Sequence, residues 1–102
     1  MTARDNTSPL VLRNVTLDDR RTSMRLEPSI WDALGEIAKR ESRSVNELCA
    51  MIDRAKSPEM SLTSAVRVFT TAYFRASAAE DFQRGVRHGM GSTSKIRQVS
   101  FG

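Results

Sequence analysis

The spacing of apolar positions changes character several times along the chain. Residues 10–17 (LVLRNVTL) are rich in aliphatic and β-branched side chains and predict a short strand. Asp18 and Asp19 follow as turn formers. Residues 21–26 (RTSMRL) alternate, with Thr22, Met24 and Leu26 on one face and Arg21, Ser23 and Arg25 on the other. This is a half-buried strand whose open face is basic and hydroxylic. From residue 28 the period becomes helical. Pro28 suits a first-turn position, where a missing N–H costs nothing. Ile30, Ala33, Leu34, Ile37 and Ala38 form an apolar stripe flanked by Trp31, and Lys39 and Arg40 favour the end of the helix. After a tight link at 41–43, Ser44-Val45-Asn46-Glu47 fits a capping box, and Val45, Leu48, Cys49 and Ile52 give a second buried stripe. Pro58 interrupts the pattern. Ser61 can cap a third helix, with Leu62, Ala65, Val66, Phe69, Tyr73 and Ala76 on one face. From residue 83, Gly85, Gly89, Gly91 and three serines predict a flexible tail.

The 102 residues are enough for one domain. They divide into a disordered polar arm at 1–9, a folded unit at 10–78 and a basic tail at 79–102. A net charge of +4 favours an anionic partner. Much of the excess lies in the tail, where Arg84, Arg87, Lys95 and Arg97 have no acid among them. A binding site elsewhere has to be made by placement of charge. The single cysteine, Cys49, precludes an internal disulfide and suits a reducing cytosol. The polar start does not read as a signal peptide, and no apolar run is long enough to span a bilayer, so a cytoplasmic protein without membrane contact is expected.

The residues suggest no enzyme. A nucleophile needs a base and an orienting third group, whereas Cys49 and His88 fall on different segments. His88 has no second ligand at metal spacing, so neither a metal nor another cofactor is expected. No Gly-rich phosphate loop precedes a helix. The acidic pairs Asp18-Asp19 and Glu80-Asp81 belong to a turn and a helix end, with no apolar pocket to raise a pKa.

The stretch Thr22-Ser23-Met24-Arg25-Leu26-Glu27-Pro28-Ser29-Ile30-Trp31, joined to Arg43-Ser44-Val45-Asn46-Glu47-Leu48, resembles the ribbon-helix-helix family of small bacterial and phage repressors. The continuation Ile52-Asp53 and Ser61-Leu62-Thr63-Ser64-Ala65-Val66-Arg67-Val68-Phe69 is similar to a bacterial subfamily with a third helix and a strand motif R-T-S-x-x-L-E. The resemblance spans residues 10–74. It implies a mainly helical fold with a short β-ribbon, an intertwined homodimer, an extra C-terminal helix, and repression of transcription by binding double-stranded DNA.

In that family a strand from each subunit enters the major groove. The resemblance therefore assigns base contact to Arg21, Ser23 and Arg25, and phosphate contact to Arg43, Ser44, Val45 and Asn46. It also assigns the dimer core to Met24, Leu26, Ile30, Leu34, Ile37, Val45, Leu48 and Ile52. From the residues alone, Arg21 and Arg25 fit a solvated strand face equally well, and Ser44 is a helix cap whatever else it does. The chemistry suits the implied roles, since Arg can make a bidentate contact to guanine and free N–H groups at a helix start attract anions. Two features depart from the family pattern. Ser42-Arg43 stands where the inter-helix turn often holds Gly, and residues 10–17 can pair with 21–26 as a hairpin. In an intertwined dimer that hairpin would widen the ribbon to four strands, and a groove about 12 Å wide admits four less easily than two. The rival reading is a protein-interaction module or antitoxin-type protein, binding a second protein through the third helix or the tail.

Overall fold

The computed structural model describes residues 9–87 together with Ile96 and Val99. Two strands, β1 (Val11–Thr16) and β2 (Arg21–Leu26), precede three helices, α1 (Pro28–Arg40), α2 (Val45–Ala55) and α3 (Leu62–Arg87). The strands pair antiparallel in register from Val11 opposite Leu26 to Thr16 opposite Arg21. The connection is tight, with Leu17 N–H donating to the Arg20 carbonyl at 2.8 Å. So short a loop costs little entropy to close. β1 of the same chain thus covers one edge of β2, and the other edge of β2 has no strand partner among the described residues.

Val15, Leu17, Met24 and Leu26 turn inward beneath the hairpin and are at most 5% exposed. They meet Trp31, Leu34 and Ile37 of α1, Leu48, Cys49 and Ile52 of α2, and Ala65, Val66, Phe69 and Tyr73 of α3 in one core. Of the side chains expected at a dimer interface, Met24, Leu26, Leu34, Ile37, Leu48 and Ile52 are buried inside the single chain, while Ile30 and Val45 are partly buried against the same core. Burial of these residues therefore does not require a second copy, because α3 packs on α1, α2 and β2 and closes the core from the far side.

The helix ends follow their capping chemistry. Glu47 N–H donates to Ser44 Oγ at 3.0 Å and Ser44 N–H to Glu47 Oε1 at 2.8 Å, the reciprocal box that starts α2. Ser61 Oγ accepts from Ser64 N–H at 3.1 Å at the start of α3. At the end of α1, Arg43 N–H reaches the Ala38 carbonyl and Ser42 N–H that of Lys39, a Schellman motif. Its left-handed position, usually glycine, is Ser42 with φ of 57°. Helix α3 runs to Arg87, through the stretch from 79 expected to be tail. Ile96 and Val99 also pack against the core, in the part of the chain expected to be a free extension.

Candidate nucleic-acid interface

Pairing in register places three cross-strand rows on the outer face of the hairpin: Leu12 with Arg25, Asn14 with Ser23, and Thr16 with Arg21. All six side chains are exposed, and Leu12 retains 52% of its accessible surface. Opposed residues in such a pair have Cβ atoms about 5 Å apart. Arg21 and Arg25 lie about 13 Å apart along the strand, comparable to four base steps. No described carboxylate pairs with either guanidinium. Antiparallel ladders alternate, and the bond at Leu17 and Arg20 sets the phase, so the backbone groups of Arg21, Ser23 and Arg25 point away from β1.

The nearest acids are paired with arginines. Asp18 is bonded to Arg54, and Asp19 pairs with Arg20 at 2.9 Å. Arg20 also bonds Asp53 of α2, and this partner first, then Asp19, holds its guanidinium above the ordinary value. The turn is therefore tied to α2, and its two carboxylates leave the ribbon face basic. Arg13, on the inward row, stacks its guanidinium 5.3 Å from the Trp31 ring centre. Trp31 Nε1 donates to the Val11 carbonyl at 2.9 Å, which anchors α1 beneath the ribbon.

The residues expected to hold phosphate gather at the start of α2, but several have partners. Ser44 is engaged in its cap, and the Glu47 carboxylate stands over the same helix start. Asn46 Oδ1 accepts the Thr16 N–H at 3.0 Å, which fastens α2 to the end of the ribbon carrying Arg21. Val45 is half-buried. Arg43 is exposed and lines an open, largely polar depression with Asp18, Glu47 and Arg54. The structure thus brings the α2 start beside one end of the basic strand.

Leu12, Asn14 and Thr16 were not among the site residues expected from sequence. The available signal was the turn: counting outward from residues 17–20 gives the register, and the register gives the face. Arg84 and Arg87 fall within α3, and Lys95, Arg97 and His88 lie outside the described residues. Among the described residues no group of three or more His, Cys, Asp or Glu could hold a metal ion, and no helix is long and apolar enough to cross a membrane.

A family model for the ribbon-helix-helix domain matches residues 10–74. Among solved structures, an uncharacterized protein from Bordetella pertussis Tohama I is similar in fold, with a TM-score of 0.61 and 24% identity. The match covers 88% of this chain and 85% of that one. No curated protein matches.

Proposed function

This chain belongs to the ribbon-helix-helix family, whose members are in general non-enzymatic, DNA-binding regulators, and we infer that it is a sequence-specific repressor that lays a dimeric β-ribbon, with the outward face of β2 from each subunit, in the major groove. One observation carries the reading: the exposed face of the ribbon presents Arg21, Ser23 and Arg25 outward with no acid among the described residues on that face. The major groove admits a two-stranded ribbon, and arginine can read guanine there bidentately. Arg43 and the α2 start flank the ribbon end and contact phosphate. The protein works in the bacterial cytoplasm as a homodimer on a pseudo-twofold operator. β2 keeps an unpaired outer edge among the described residues, with the backbone groups of Arg21, Ser23 and Arg25 turned toward it, and the β2 of a second copy pairs there to make the dimeric ribbon.

The test is a salt titration of wild type and Arg25→Ala on a selected operator and on random duplex. Arg25→Ala should weaken operator binding by about 1–3 kcal/mol and relax preference at one position per half-site, leaving random binding little changed. An unchanged ratio of specific to random affinity would remove Arg25 from base reading.

A further inference from the structure

Pairing the open edge of β2 with a second copy makes a sheet in the order β1–β2–β2–β1. Neighbouring strands lie about 4.8 Å apart, so the two outer strands stand about 14 Å from each other. The major groove is about 12 Å wide. The two β2 strands fit between its walls, and each β1 lies over a wall. The side chains of the shared face follow this profile. The β2 strands carry the long Arg21 and Arg25, whereas β1 carries the short Asn14 and Thr16 together with Leu12. Such a face is convex, with arginines that reach the base edges along its middle and short side chains at its margins. Leu12, Asn14 and Thr16 are all exposed. Among the described residues, neither the Asn14 amide nor the Thr16 hydroxyl has a hydrogen-bond partner. Asn is depleted in strands, and at mid-strand it gains nothing visible for the fold. The Thr16 end of β1 is fastened by Asn46 to the start of α2, beside the exposed Arg43.

We propose that β1 is a phosphate rail: Asn14 and Thr16 of each subunit donate hydrogen bonds to phosphate oxygens along one wall of the groove, and Leu12 packs on a deoxyribose. A carboxamide and a hydroxyl both offer donors that phosphate oxygens accept. Contacts of this kind fix the register of a protein on the duplex without reading its sequence. The row from Leu12 to Thr16 runs on through Asn46 to Arg43, so β1 and the α2 start follow the same wall. The groove then meets two classes of contact, bases along the paired β2 strands and backbone along each β1. This inference rests on the dimeric ribbon proposed above.

The experiment is a salt titration of the full chain on the selected operator and on random duplex. It compares wild type with Asn14→Ala, Thr16→Val, Asn14→Lys, Ala78→Lys and Arg25→Ala. Valine keeps strand propensity, so a loss in Thr16→Val cannot be ascribed to a weakened strand. Asn14→Ala and Thr16→Val should each weaken operator and random duplex by the same factor, about 2- to 10-fold, with an unchanged salt slope, because neutral donors release no counterions. Asn14→Lys should tighten both duplexes and steepen the slope by about two, one counterion per subunit. Ala78 is exposed on α3, so Ala78→Lys adds the same charge away from the ribbon and should leave the slope as in wild type. The rail is overturned if Asn14→Lys steepens the slope no more than Ala78→Lys does. It is equally overturned if Asn14→Ala and Thr16→Val bind as wild type, or if they weaken the operator and spare random duplex. Arg25→Ala reports separately on the ribbon: an unchanged ratio of specific to random affinity removes base reading by β2, whatever the β1 variants do.

Discussion

At the scale of single residues, two positions carry measurable consequences of their surroundings. Ser42 holds a left-handed φ of 57° that costs an L-residue about 1 kcal/mol. Ser42→Gly removes that cost at the Schellman position and should stabilise the fold by up to about 1 kcal/mol, read as a rise of several degrees in Tm. Tyr73 is 1% exposed, and its hydroxyl donates to Glu41 Oε2 at 2.6 Å. Burial first, then the Glu41 bond, pushes its pKa above the ordinary phenol value. Burial likewise pushes the Cys49 thiol up to about 11. Both groups are held protonated in the fold and release their protons more readily unfolded. Their contribution is complete below the unfolded thiol pKa of about 9 and is lost as pH rises through the folded values. Wild type should therefore lose Tm steadily from about pH 9 upward. Tyr73→Phe should start roughly 1 kcal/mol lower at pH 7 and lose less, so that the two curves converge above pH 10. Parallel curves would show that Tyr73 does not drive the alkaline loss.

At the scale of elements, α3 is part of the fold's closure. Ala65, Val66 and Phe69 are fully buried on its inward side. Arg67 ties its first turns to Glu27 through two bonds of 3.1 and 3.2 Å. The Glu27 carboxyl lies below its ordinary range, because of its own backbone hydrogen bond first and Arg67 second. This pair is still open to solvent on one side, so the apolar side of α3 does most of the stabilising. Phe69→Ala should cost about 3–5 kcal/mol in denaturant unfolding. Truncation after Pro58 should abolish cooperative melting. A truncated chain that melts like the full one would make α3 an independent arm and favour the protein-interaction reading. The register at the other end of the molecule has the same local logic. A four-residue connection, with both acids held by arginines, aligns Arg21 with Thr16 and so fixes every outward row.

At the scale of the whole molecule, the unpaired outer edge of β2 has a definite expectation on DNA. The homodimer proposed here should protect one contiguous site centred on its dyad and sediment on it as two chains per operator. Two separate half-sites with centres about 34–36 Å apart, one turn of the duplex, would instead show that each protomer carries its own hairpin into the groove. Replacing Lys95 and Arg97 by glutamine, which keeps Ile96 and Val99 on the core, should weaken all sequences alike and flatten the salt dependence, since each lost phosphate contact removes about one counterion from the slope.

The alternation at 21–26, the helical stripes after Pro28, and the Ser44–Glu47 box are local patterns, and each became the element it predicted because its periodicity and capping need no distant partner. The outward placement of Arg21, Ser23 and Arg25 follows from the same period of two. Tertiary structure decided what depends on contacts across the chain. It gave β2 its neighbour in β1 and buried Met24 and Leu26 within one protomer. It also engaged Asn46 Oδ1 as the acceptor of the Thr16 N–H, thirty positions away, and gave the Asn14 side chain no such bond among the described residues. Two asparagines with the same chemistry differ only in what the fold brings beside them, and composition and period contain no information about that.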